Sequence, residues 1–152
     1  MSAGERWHDD YGKRKSVGDS AEIEFRKAWL CHCGGRFRKY APSPGLPDFV
    51  CEGCGQMVDV KSGSPKYPSI SQVPFDGYGS NVVLARRFSA GDWRGARKRD
   101  LDHHKRGPIP PSHKDRGTFF YRFPPELFKP LSQFLRPNYG QFGLGVSAEE
   151  QP

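Results

Sequence analysis

Two groups of residues in this chain have types and spacings that suit metal chemistry. The first is Cys31-His-Cys33-Gly-Gly with Cys51-Glu-Gly-Cys54-Gly, four cysteines within 24 residues. Thiolates are the soft ligands zinc favours, and two close pairs supply the four that a closed tetrahedral site takes. A glycine after the second cysteine of each pair lets backbone amides turn back toward the sulfurs. The first pair is the tighter, with one intervening residue where zinc knuckles have roughly two to four. The expected ligands are Cys31, Cys33, Cys51 and Cys54, with His32 a weaker candidate between two of them. A shell closed by four thiolates holds a fold together and leaves no position for an activated water. Two disulfides would need an oxidising compartment, for which the chain carries no sign.

The second group is Asp48 in Gly45-Leu-Pro-Asp48-Phe-Val50 and Asp59 with Lys61 in Met57-Val-Asp59-Val-Lys61-Ser62. If these segments are adjacent strands of a hairpin whose tip is the Cys51–Cys54 knuckle, Asp48 and Asp59 lie side by side. Lys61, two residues on, then shares a face with Asp59. Two hard oxygen ligands and an ammonium group on one face suit Mg²⁺, or Mn²⁺, together with a phosphate.

Charge supports a polyanionic partner. The 152 residues carry a net charge of +7, and it is unevenly placed. Ten of the 24 basic residues fall in 86–116: Arg86, Arg87, Arg94, Arg97, Lys98, Arg99, Lys105, Arg106, Lys114 and Arg116. The one acidic stretch, 41–85, holds Asp48 and Asp59. A basic block of this kind suits a phosphate backbone, and DNA is the expected partner. His103, His104 and His113 lie in the same block. No third ligand is well spaced for them, and they read as DNA-contacting or simply exposed. No apolar run approaches the roughly 20 residues of a membrane span, and the first ten residues lack the apolar core of a signal peptide. The expected setting is therefore cytoplasmic, nucleoid-associated or, for a viral protein, the host cytoplasm, with no membrane partner.

The elements that must hold these residues are short, because 18 glycines and 14 prolines punctuate the chain. A helix starts at Asp19 or Ser20 and runs to about Leu30, with Ala21, Phe25, Ala28 and Trp29 on its apolar stripe. Strands are expected over 36–40, 46–51, 56–61, 81–85 and 118–123. A helical turn fits Ser69 to Val73, and a last helix fits Pro125 to Leu135, with Pro130 able to break it in two. The basic block, rich in Gly and Pro, reads as an elaborated loop. This gives a flexible arm over 1–15, a single domain over 16–136 with knuckles at 31–54 and the basic loop at 86–116, and a loose tail over 137–152. So small and aromatic-rich a core would draw support from a metal cross-link.

Pro47-Asp48, a spacer, and Asp59-Val60-Lys61 together resemble the signature of the PD-(D/E)XK nuclease superfamily, which includes restriction endonucleases and archaeal Holliday-junction resolvases. That family carries a further acid on its first helix, as Gly, three residues, Glu, two residues and an apolar position. Gly18-Asp-Ser-Ala-Glu22-Ile-Glu-Phe25 fits with Glu22 in that place and Glu24 as its rival. Gln72, in Ser69-Ile-Ser-Gln72, resembles a glutamine that the family often aims at its metal. The resemblance spans about residues 16–88. It departs from the family in the knuckle inserted between the two core strands and in the proline-rich stretch after Lys61.

The resemblance implies an α/β fold, a restriction-endonuclease-like mixed sheet flanked by helices, with nested zinc-ribbon-like knuckles. It implies a Mg²⁺-dependent endonuclease that hydrolyses phosphodiester bonds in DNA during recombination and repair, restriction or phage DNA processing, and a homodimer. Asp48 and Asp59 would hold the metal, Glu22 would add a ligand directly or through water, and Lys61 would position the nucleophile. Gln72 would complete the site, and Arg86, Arg87, Arg94, Arg97, Lys98, Arg99, Lys105 and Arg106 would hold the backbone. The competing class is a non-catalytic zinc-ribbon module that binds nucleic acid or protein and keeps an acidic hairpin.

Overall fold

A computed structural model describes residues 20–40, 46–62, 68–109 and 119–139. The arm expected over 1–15 and most of the tail lie outside these residues, as do Lys114, Arg116 and His113.

A helix over residues 20–28, α1, opens the described chain. It buries Ala21 and Phe25 completely. It stops two residues short of the expected end because Trp29–Leu30 leaves the helix as a short strand, β1, and pairs with Arg136–Pro137, β11. Three strands follow: β2 (Phe37–Lys39), β3 (Phe49–Cys51) and β4 (Met57–Ser62). Each falls within or beside its expected stretch, β3 starting three residues later than expected, and they form an antiparallel meander. The chain then crosses over through β5 (Ser69–Ser71) and α2 (Gln72–Gly77). It returns as β6 (Val83–Ser89), parallel to β4, with Asp59 opposite Leu84 and Lys61 opposite Arg86.

The basic block departs from the expected loop. β6 continues to Ser89, and a turn with Gly91 at φ 76° leads into the antiparallel β7 (Asp92–Arg97). A helical turn, α3 (Lys98–Leu101), and β8 (Arg106–Ile109) follow. The reason lies between the charges: Phe88, Trp93, Ala96 and Leu101 are all buried, and these apolar positions pull the basic residues into ordered strands. β9 (Phe120–Arg122) pairs with both β5 and β8 in a separate three-stranded sheet. The helix expected over 125–135 does not form. Proline at 124, 125 and 130 divides it into two 3-10 turns, Pro125–Leu127 and Leu131–Gln133, around the short edge strand β10 (Lys129–Pro130).

The fold is thus α/β, with a mixed six-stranded sheet in the order β10-β7-β6-β4-β3-β2. Alternation along its strands divides the core in two. Phe49, Val58, Val60, Val83 and Ala85 pack with Ala21 and Phe25 of α1. There the Phe25 ring sits 5.2 Å from Phe37, 5.4 Å from Phe49 and 5.8 Å from Trp93. Leu84 and Phe88 face the other way and pack with Ile70, Phe75, Tyr78 and Phe123. Asp59 has the opposite parity to Val58 and Val60, and so stands on the side of this second core.

Candidate functional site

The hairpin of β3 and β4 carries both candidate clusters. Its tip is closed by Cys51 N–H donating to Gln56 O at 2.8 Å and Gly55 N–H donating to Cys51 O at 3.0 Å. This turn brings Cys51 and Cys54 under the loop that follows β1, which carries Cys31 and Cys33. All four sulfurs lie within 4.8 Å of one another, and the shortest separations are 3.4 Å (Cys31 to Cys54) and 3.5 Å (Cys33 to Cys51). None is in a disulfide. Zinc at about 2.3 Å from each sulfur of a tetrahedron spaces the sulfurs about 3.8 Å apart, so the donor set fits. The four thiols can hold a structural metal such as zinc, and the single residue between Cys31 and Cys33 does not prevent it. His32 Nδ1 stands 3.4 Å from Cys31 Sγ but is not needed to complete the shell.

The local backbone is built for thiolates. Gly53 N–H and Cys54 N–H both point at Cys51 Sγ, at 3.3 and 3.5 Å, and Gly35 N–H points at Cys33 Sγ at 3.4 Å. Burial opposes ionisation of Cys51, yet the amides of Cys54 and Gly53 outweigh it and bring the thiol down to about 7. Burial pushes the Cys31 thiol far up. Gly35 is fixed by space alone: a Cβ there would meet Cys51 Sγ at 2.7 Å and Gly53 N at 3.3 Å.

At the other end of the hairpin, Phe49 pairs with Val58. The register carried one residue further sets Asp48 opposite Asp59. Asp48 Oδ2 accepts the backbone N–H of Val60 at 2.8 Å. Burial, and then the neighbouring charge of Asp59, push its carboxyl up to about 6. Asp59 is 2 % exposed. Its Oδ1 accepts the hydroxyl of Tyr78 at 2.7 Å, and its Oδ2 lies 2.9 Å from Arg86 Nη2. Burial works to neutralise Asp59, but Arg86, Lys61 and Tyr78 overcome it and hold the carboxyl below its ordinary range. Two adjacent carboxylates with opposite shifts mark a site where charge has been arranged rather than dispersed.

Of the two acids on α1, Glu22 stands near this pair. Its charge adds to the upward push on Asp48, and it is itself bridged to Lys39 at 2.6 Å. Glu24 has another task, accepting Trp93 Nε1–H at 2.6 Å and facing Arg87 at 3.3 Å, which ties α1 to the sheet. Among the described residues the carboxylates of Glu22, Asp48 and Asp59 do not close into a trio as the four thiols do. Gln72 opens α2, with its backbone N–H on Phe119 O, and no described contact joins its side chain to the aspartates.

Several residues of the basic block have partners within the protein, and the burial of Arg86 corrects its expected place on a DNA-holding surface. Arg86 is 1 % exposed and cannot reach a phosphate backbone from there. Arg94 is forked onto Asp92 and lies 4.4 Å over the Phe88 ring. Arg97 donates to Gln56 Oε1 and Asn81 O, and Lys98 pairs with Asp102. Lys105 lies 4.6 Å over Tyr121 and 3.7 Å from Asp76. Arg99, His103, His104, Lys105 and Arg106 form the exposed end of the block.

Sequence reasoning missed Arg86 and Tyr78 as partners of Asp59. A signal was present: an arginine following Val-Val-Leu-Ala in a strand buried on both faces requires an acid beside it. No helix among the described residues is long and apolar enough to cross a membrane. Comparison with family models, with curated proteins and with solved structures finds no match to this chain.

Proposed function

We propose that this protein is a divalent-cation-dependent nuclease acting on DNA, as its resemblance to the PD-(D/E)XK superfamily implies, with a zinc-bound knuckle as a structural brace. The observation that carries this reading is the cross-strand pairing of Asp48 and Asp59 on one hairpin, with Lys61 two residues beyond and Glu22 close by. Separation of the two aspartates by the Cys51–Cys54 knuckle leaves them opposite each other in the register, because the knuckle is confined to the hairpin tip. A bound Mg²⁺ would supply Lewis acidity and an activated water. Asp48 and Asp59 would hold it, and the carboxyl of Asp48, unfavourably ionised beside Asp59, would gain most from a cation. Lys61 is half-buried on the same face and stands ready to orient the water or to stabilise charge building on the phosphate. Arg99, Lys105 and Arg106, with His103 and His104, are the groups left exposed to meet the backbone.

One observation favours the second class, a zinc-braced binding module without catalysis: both oxygens of Asp59 are already engaged, by Tyr78 and Arg86. Incubation of plasmid and branched DNA with the protein and Mg²⁺, beside Asp59→Ala and Lys61→Ala, separates the two. Cleavage by the wild type that both variants lose supports the nuclease. Equal absence of cleavage in all three removes it, and a gel shift retained by all three then favours the module.

A further inference from the structure

Arg86 is the largest side chain buried to this degree in the described chain. Its Nη1 is fastened at two points, donating to Asp59 O at 3.1 Å and to Ala85 O at 3.0 Å. The contact with the carboxylate is of another kind. Nη2 and Oδ2 are partners in an ion pair at 2.9 Å, off the alignment of a well-formed hydrogen bond, and Arg86 Nε has no partner among the described residues. The ion pair is held by charge, without the alignment of a forked arginine–carboxylate pair. Buried polar atoms left in this state are uncommon and call for a cause. Tyr78, meanwhile, fixes Asp59 through Oδ1 and leaves Oδ2 as the oxygen that can change partner.

We propose that Arg86 and a divalent cation compete for Oδ2 of Asp59, so that Arg86 is the counter-ion of the metal-free protein and the positioning residue that sets how tightly the cation binds. This rests on the nuclease reading of the same site. With the cation absent, Arg86 balances most of the charge of a carboxylate at 2 % exposure. With the cation bound, Oδ2 turns to it, while the anchors of Nη1 on two backbone carbonyls keep the guanidinium close. The bound cation therefore always feels a neighbouring positive charge, which weakens its binding. Lys61, paired with Arg86 across β4 and β6, adds to the same repulsion. Such a site binds its cation weakly on its own and more tightly when a further source of negative charge arrives, and a phosphate backbone is one.

The test is Mn²⁺ binding to the zinc-loaded full chain, followed by electron paramagnetic resonance and calorimetry, for the wild type, Arg86→Lys and Arg86→Gln. Glutamine removes the charge and keeps a shorter polar side chain, and lysine keeps the charge. Arg86→Gln is expected to bind Mn²⁺ at least about tenfold more tightly than the wild type while melting at a lower temperature without Mn²⁺. Arg86→Lys should stay near the wild type in affinity. A merely structural arginine would lower affinity and stability together, so opposite movement of the two is diagnostic. If Arg86→Gln does not fold without Mn²⁺, its recovery of structure on titration with Mn²⁺, at concentrations below those the wild type needs for binding, carries the same result, and no recovery overturns it. Mn²⁺ bound by the wild type with equal or weaker affinity in Arg86→Gln overturns the competition and leaves the nuclease reading standing. Binding by none of the three overturns both.

Discussion

The two aspartates should respond in opposite directions to the same conservative change. In Asp48→Asn a carboxyl pushed up from 3.8 to about 6 is replaced by a neutral group that can still accept the Val60 N–H. Because the folded protein holds that proton more tightly than the unfolded chain, the ionised group opposes folding. The penalty is absent below about pH 4, grows as pH rises, and is complete above about pH 6. At pH 8 the difference corresponds to about 3 kcal/mol, and partial solvation of Asp48 reduces it, so a gain of roughly 1.5–3 kcal/mol is expected. For a chain of this length that is a rise in Tm of about 4–9 °C. Asp59→Asn instead strands the Arg86 guanidinium. Losing one partner of a buried pair costs about 3–5 kcal/mol, from which the relief of Asp48 is subtracted, leaving a fall in Tm of about 6–9 °C. The assay is thermal unfolding of zinc-loaded protein at pH 8 without Mg²⁺, repeated with Mg²⁺, which should raise the wild type and leave Asp48→Asn unmoved. The gain in Asp48→Asn should shrink as pH is lowered from 6 toward 4. A lower Tm for Asp48→Asn at pH 8, or an unchanged one for Asp59→Asn, would refute this account of the site's electrostatics.

Elemental analysis of protein purified under reducing conditions should find close to one zinc per chain, and a chelator strong enough to remove it should abolish cooperative unfolding; a zinc content near zero counts against the structural centre. Gly35→Ala should lose zinc and stability together, since the new methyl meets Cys51 Sγ at 2.7 Å and the backbone of Gly53 behind it; full zinc content with unchanged Tm would contradict that packing. Lys61→Ala should cost at least about a hundredfold in DNA cleavage with little change in Tm, because the Lys61 side chain is only half-buried. Cleavage by the wild type should rise with pH through about 6, as Asp48 becomes available to a cation in its ionised form; a rate flat from pH 5 to 8 would remove Asp48 from the metal ligands.

Where the sequence was legible, a local rule and the tertiary structure agreed. The hairpin could be read because Phe49, Val58 and Val60 alternate with Asp48 and Asp59, and because the cysteine pair marks a tight tip. The thiol cluster was legible from spacing alone. The basic block was misread because Gly91, Gly95 and Gly107 look like loop residues, whereas each answers to a different demand. Gly91 makes a turn at φ 76°, Gly107 stands at φ 126°, and Gly95 lies flat in β7 with Leu131 so close that a Cβ would approach it to 2.7 Å. The last helix failed on Pro130, which lies on the edge strand β10. Arg86 was assigned to DNA by its charge. Its burial depends on α2 and Tyr78 closing over the second face of the sheet, a long-range arrangement that no local pattern around Arg86 encodes.

The ladder between β3 and β4 is short: Phe49 with Val58, Val50 with Met57, and the closing bond from Cys51 to Gln56. So few rungs define a register weakly, and because β4 is held to β6 at five positions, a slip by one residue would turn Asp48 rather than Asp59 to the other face of the sheet. The cluster of four thiols at the tip adds a second constraint to that alignment, beside the bond from Val60 N–H to Asp48. The facing of Asp48 and Asp59 is thereby tied to what closes the thiols several residues away. Withholding zinc is expected to loosen that facing with every residue of it intact.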